Sequence, residues 1–206
     1  MIQEGGCCRE REQCEAGSFS SAQYSGSAMP DIIHTRWLLS ESFENPMKGA
    51  RVTEMPPVRS AQQRKRDTLR RLAEEIDAWV ATAGERGGSP CLAPFSFLWD
   101  GASVLIAAPA TGVTGRNLLA TGQVRLSLGT TRDVVLITGT AEPILPRDLP
   151  DAVGEAFAVK TGFDPRHNPD LYRYFRIIPQ RIRAWREENE LAGRDVLREG
   201  AWLIQD

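Results

Sequence analysis

"QVRLSLGTTRDVVLITGTAEPI", residues 123–144, is the stretch whose reading decides the fold. Val124, Leu126 and Leu128 alternate with Gln123, Arg125 and Ser127. A period of two is a strand with one buried and one wet face. Gly129, Thr130 and Thr131 then break the run. "DVVLIT" (133–138) is apolar on both faces. Such a strand lies in the middle of a sheet, or has one face in a barrel interior and the other against a partner. A connection this short joins antiparallel strands.

The same pattern extends toward the N-terminus. "AWVATA" (78–83), "CLAPFSFLW" (91–99) and "SVLIAAP" (103–109) are short apolar runs broken at Gly87-Gly88 and Asp100-Gly101. Asp-Gly between strands predicts a tight hairpin, because such a turn needs positive φ. Five strands with short turns predict an antiparallel barrel or sandwich. Residues 170–185 predict a further strand pair, broken at Pro179.

Helices flank these strands. In residues 60–80, Leu69, Leu72, Ala73, Ile76 and Val80 fall at helical spacing, with Ser60 as cap. Its basic first half (Arg64, Lys65, Arg66, Arg70, Arg71) reads as a solvated face, because Glu74, Glu75 and Asp77 follow. Arg70–Glu74 and Arg71–Glu75 are expected pairs. A short helix is expected from Thr114 to Gly122. Another runs from Leu149 to Lys160, with Leu149, Val153, Ala156 and Phe157 inward and Gly162 as stop. Residues 186–206 read as charged and irregular, anchored by Trp202.

Composition narrows the function. The chain has 206 residues, 41% hydrophobic and 25% charged, with formal net charge −2. That balance gives no global field for nucleic acid or a membrane surface. No apolar run is long enough to span a bilayer. Residues 1–58 read as a disordered or loosely attached leader, and 59–206 as the folded domain. The leader lacks the apolar core of a secretory signal, so a cytoplasmic location is expected. Cys7, Cys8 and Cys14 lack zinc-site spacing, and no metal site is expected.

"TGVTGRNLL" (111–119) is the candidate for chemistry. Thr114 suits an N-cap. Free amides and the helix dipole at such a start attract an anion. Gly112 and Gly115 allow close backbone approach, and Arg116 supplies a bidentate donor suited to phosphate. The same features also describe an ordinary strand-to-helix connection.

Taken in order, "PCLAPFSFLWDG", "VLIAAPATGVTGRNLL", "VRLSLGTTRDVVLITGTAE", "GFDPR" and "YFRIIPQRIRAW" resemble the pyridoxamine 5′-phosphate oxidase-like family. The likeness spans about residues 60 to 203. It implies a mainly β fold with flanking helices, an antiparallel split β-barrel. It also implies a homodimer with FMN, or the deazaflavin coenzyme F-420, at the interface, and a flavin- or deazaflavin-dependent hydride transfer with a small-molecule substrate. By position, Pro94, Phe95, Ser96 and Phe97 would run beside the isoalloxazine ring. Ala107, Ala108 and Thr111 would lie near the ribityl chain. Thr114, Arg116 and Asn117 would hold the phosphate. Trp185 would reach the flavin from the neighbouring subunit, with Arg194 loosely matching an arginine downstream of it.

Other roles compete at these positions. Phe95 and Phe97 equally suit core, Trp185 a barrel-end cap, and Asn117 a structural hydrogen bond. Relatives often carry a lysine in the phosphate loop, where this chain has "GVTG", and a histidine where Cys91 stands. No nucleophile motif or paired carboxylate appears in the strands, so no catalytic residue is assigned. A non-catalytic module that binds flavin or haem is the alternative. Its only haem-ligand candidates are His167, which reads as a loop residue, and Cys91.

Overall fold

A computed structural model describes residues 55–85 and 88–204. Most of the expected leader, residues 1–54 with Cys7, Cys8 and Cys14, lies outside the described residues, as does Gly87. The elements are α1 (Ala61–Glu74), β1 (Asp77–Ala83), β2 (Pro90–Trp99), β3 (Val104–Pro109), α2 (Val113–Thr121), β4 (Gln123–Thr130), β5 (Asp133–Ile144), α3 (Asp151–Thr161), β6 (Tyr172–Arg186), β7 (Asp195–Arg198) and β8 (Ala201–Trp202).

All pairings are antiparallel, in the order β3-β2-β1-β4-β5-β6-β7-β8. An additional β3–β6 pairing closes the first six strands into a barrel. β6 makes the split. Its first half pairs with β3 up to Ile177, and its second half pairs with β7 from Arg181. The decisive stretch behaves as its alternation predicts: Val124, Leu126, Leu128, Val135 and Ile137 are all buried in the core. Val134 and Leu136, on the other face of β5, are half-buried.

The Asp100-Gly101 hairpin forms as expected. Gly101 has φ +98, and Asp100 accepts hydrogen bonds from the amides of Ala102 and Ser103 and from the Ser103 hydroxyl. Burial opposes ionisation of Asp100, but these donors outweigh it and hold its pKa below the ordinary carboxylate range.

Several expectations need correction. β6 is one continuous strand, not a pair broken at Pro179. The register against β5 shifts beside Gly139 and Pro179, so the proline sits at an irregularity, the place where a strand tolerates a residue with no N–H. Gly139 is needed there, because a Cβ would lie 2.5 Å from the Ile178 carbonyl oxygen. The first helix is capped by Ser60, but it ends at Glu74. Ile76 is exposed, and Val80 points into the barrel from β1. The pair Arg71–Glu75 forms at 2.9 Å, whereas Arg70 lies near Asp67 instead of Glu74.

The basic face of α1 is only partly solvated: Arg66 and Arg70 are exposed. Arg64 and Lys65 are buried and donate to carbonyls of Glu190, Ala192 and Ile204. Long basic side chains cover apolar surface with their stems while their heads find carbonyls. α3 is stopped by Gly162 as expected but starts at Asp151, so Leu149 is buried ahead of the helix; Phe157 is buried within it, and Ala156 is exposed. The C-terminal region is less irregular than expected, since β7 and β8 form a hairpin. Trp202 packs on the core as anticipated, with the Lys65 ammonium 5.6 Å from its ring centre.

The outside of the barrel is covered unevenly. α3 lies over β2, β3 and β6, where Phe157 meets Tyr174 edge-on beside Leu105. The outer faces of β1 and the first half of β2 carry Trp79 at 53% exposure and Leu92 at 63%. Single exposed apolar side chains are normal, but a contiguous patch marks an interaction surface.

Candidate functional site

α2 leaves the end of β3 through Ala110, Thr111 and Gly112. Its N-cap is Gly112, in extended conformation, and no side chain caps it. Thr114 is therefore not the cap. It is the second helical residue, buried, with its hydroxyl 3.7 Å from Cys91 Sγ. Gly115 plays a different part from the one its sequence suggested. A Cβ there would lie 2.1 Å from the Pro109 carbonyl oxygen, so the glycine seats the helix on its own strand and admits no ligand. Asn117 donates to the Thr82 hydroxyl at 3.2 Å, which ties α2 to β1.

What remains open at this corner is the uncapped first turn, exposed Thr111 and exposed Arg116. The Arg116 guanidinium folds back to donate to the Thr111 carbonyl and so lies across the helix start. An arginine beside first-turn amides is a donor set that suits a phosphate.

The strand residues divide by face. Pro94 is exposed, and Phe95 is half-buried against the core. Ser96 donates to Asp77 Oδ1 at 2.6 Å. Phe97 and Ala108 are wholly buried, so only their backbones can face a ligand. The Phe97 ring lies 4.3 Å below the Lys160 ammonium, which also donates to the Leu72 carbonyl. Burial lowers the Lys160 pKa. Ala107 is half-buried and packs beside α3.

Trp185 and Arg194 do come together, with the guanidinium 5.7 Å from the ring centre. Trp185 also borders an open cavity of about 400 Å³ with Thr131, Arg132, Glu187, Glu188 and Leu191. Arg132 pairs there with Glu187 at 2.7 Å. Tyr172, at the start of β6, pairs with Pro109 just before α2. From Tyr172 to Trp185 the strand runs about 40 Å at ~3.3 Å per residue. Trp185 and Arg116 therefore do not meet within one chain.

His167 closes a 3-10 turn and is exposed, 3.8 Å from Asp164. Among the described residues no group of three or more His, Cys, Asp or Glu side chains is arranged to hold a metal ion. Among them, too, no helix is long and apolar enough to cross a membrane. Two features escaped sequence reading. One is the buried ion pair of Arg59 with Glu190, at 2.7 Å. The other is the group of arginines around Arg183 on the outer face of β6. Neither has a local motif; both are assembled by strand pairing.

Comparison with known proteins fits this architecture. A protein of unknown function from Agrobacterium tumefaciens superposes with TM-score 0.50 at 17% identity, over 63% of this chain and 61% of that one. A structure named F420 reductase gives 0.46 at 16% identity, over 55% and 93% of the two chains. HutZ, described as a heme storage protein from Vibrio cholerae, gives 0.44 at 15%, over 56% and 89%. No curated protein matches significantly. The first likeness speaks to fold alone. The family profile of pyridoxamine 5′-phosphate oxidase matches residues 66–186. That stretch takes in the six barrel strands, α2 and α3, and by it the chain belongs to the pyridoxamine 5′-phosphate oxidase family.

Proposed function

We propose that the protein is a flavin- or deazaflavin-dependent oxidoreductase that works as a homodimer. FMN is the first choice of cofactor and coenzyme F-420 the second. The observation that carries this reading is the corner at α2, where an exposed arginine crosses a helix start that no side chain caps. Such a corner fits the phosphate that follows the ribityl chain in either cofactor.

In this reading Arg116, the first-turn amides and Thr111 hold the phosphate. Asn117 and Thr114 are positioning residues, which fix the helix through Thr82 and Cys91. Pro94, Phe95 and Ser96 present the strand along which a flat ring lies. Because Trp185 lies far from Arg116 in its own chain, it serves the corner of a second copy, with Arg194 holding its ring. The uncovered face bearing Trp79 and Leu92 supports that pairing, since a partner would remove both from water.

The bound cofactor would supply hydride chemistry, and the chain supplies orientation and exclusion of water. No side chain of the corner is assigned proton transfer. The test is absorbance and mass spectrometry of the purified protein. Bound or reconstitutable flavin or deazaflavin, with turnover of a reduced cofactor, is the expected result. Saturable haem binding without flavin uptake points to the carrier alternative and defeats this reading.

A further inference from the structure

Segments that flank the family match on either side grip each other next to Trp185. The match covers residues 66–186. Arg59 and Arg64 precede it, and the 3-10 turn Glu188–Glu190 and Arg194 follow it. Glu190 is 1% exposed and is clasped by Arg59, which donates from its amide at 2.8 Å, its Nε at 3.0 Å and its Nη2 at 2.7 Å. The same carboxylate accepts from the Arg186 amide at 2.6 Å, one residue past Trp185. Arg64 donates to the carbonyls of Glu190 and Ala192, and Asn189 donates to the Pro56 carbonyl at 2.8 Å. The stretch ahead of α1 and the helix itself thus hold the turn from one side.

The turn so held stands beside the indole. Glu187, Glu188 and Leu191 line the cavity that Trp185 borders. Past the turn, the Arg194 carbonyl accepts from the Ala184 amide at 2.8 Å, and its guanidinium lies over the Trp185 ring. Glu187, which leads from β6 into the turn, has φ +44 and ψ 178. A residue other than glycine keeps such a backbone only where its surroundings over-determine it, and such positions gather at functional sites. Pairing with Val134 already fixes the Trp185 backbone. What the turn can still set is the rotation of the ring. Apolar side chains of the same volume often stabilise a fold as well as a buried ion pair does, so stability alone does not call for this clasp.

We propose that Glu190 is a positioning residue for Trp185: clasped by Arg59, it holds the Arg186 amide and the turn 187–191 so that the indole keeps one orientation toward the cofactor of a second copy. This rests on the cofactor reading, which gives Trp185 that use. Glu190 itself touches no cofactor and acts through the backbone at the end of β6 and through the turn. A segment that belongs to no barrel strand thereby sets the geometry of the neighbouring copy's site.

The experiment is fluorine NMR of the cofactor-free full chain labelled with 5-fluorotryptophan, followed by titration with FMN and with coenzyme F-420. Trp185→Phe assigns the Trp185 line. Glu190→Gln is compared with wild type. Arg59→Lys takes its place should that variant fold poorly, because it keeps a charge near Asp67 and Asp133 but loses the two-pronged grip on Glu190. The Trp185 line is expected to shift or broaden while the lines of Trp79 and Trp99 stay in place. Cofactor affinity is expected to fall by up to about tenfold, the worth of a lost aromatic contact. A Trp185 line unmoved in the folded variant overturns the proposal, and so does a moved line with unchanged affinity. Movement of the Trp79 and Trp99 lines together with that of Trp185 would make Glu190 a general prop of the fold and also overturns it. A wild type that takes up neither cofactor overturns the cofactor reading, and the proposal falls with it. A wild type that binds, with a Trp185 line indifferent to Glu190, overturns the proposal alone.

Discussion

Gly115 and Arg116 are neighbours with opposite jobs. The glycine is required by packing, because the Pro109 carbonyl occupies the space of its missing Cβ. Gly115→Ala is therefore expected to cost about 1–3 kcal/mol of stability by overpacking, read as a lower melting temperature without cofactor. Arg116 is exposed, and its guanidinium contacts the Thr111 carbonyl. Arg116→Ala should leave the melting temperature of the cofactor-free protein nearly unchanged. It should weaken cofactor binding by about 1–3 kcal/mol, the range for a lost charge-assisted contact. An unchanged affinity with a lowered melting temperature would make Arg116 structural. At this scale the sequence showed which residues sit at the corner but not how each is used. Thr114 and Gly115 look like ligand-facing residues in a linear motif. Only the approach of β2 and of Pro109 shows that both are occupied from within.

Among the elements, α1 is held by charge as much as by apolar burial. Leu72 is its fully buried apolar residue, while Arg64 and Lys65 are buried beside it. The turn before β7 contributes Glu190, which is 1% exposed and accepts from the Arg59 amide and guanidinium and from the Arg186 amide. Burial pushes the Glu190 pKa up, but the Arg59 hydrogen bonds and charge outweigh it and leave the pKa at about 2. The folded-state pKa is thus below the unfolded one. The stabilisation is fully present above the ordinary glutamate range and is lost as pH falls toward about 2. Acid unfolding should show a loss of about 3 kcal/mol across that window, and Glu190→Gln should flatten it. Glu190→Gln should also destabilise the neutral-pH protein, by less than the ~3–5 kcal/mol of a buried charge left wholly unpaired, because Arg59 keeps Asp67 at 2.9 Å and Asp133 at 3.4 Å. Chemical denaturation at pH 7 and in acid measures both. None of this was legible beforehand. A helix with four arginines and a lysine reads as solvated until a distant glutamate and three carbonyls are seen to meet it. The strands were legible because alternation is local, and β6 was misread at Pro179 because a register irregularity depends on the partner strand.

For the whole molecule, the unevenness of the barrel's outer surface matters most. α3 covers one side, while Trp79, Leu92, Pro94 and half-buried Val134 and Leu136 remain on the other. An antiparallel barrel or sandwich followed from strand pattern and turn chemistry, and the split barrel from the family resemblance. Closure between β3 and β6, and hence the distance from Arg116 to Trp185, required the structure. That distance turns a list of candidate residues into a proposal about assembly, in which a second chain brings Trp185 to the corner. Trp79→Glu should therefore lower both dimer mass and cofactor content, while an isolated barrel keeps its fold by circular dichroism. Native mass spectrometry of the purified protein tests the central claim most directly. The account predicts a dimer that carries one flavin or deazaflavin per chain. A monomer that holds neither, and takes up neither when both are supplied, would contradict it.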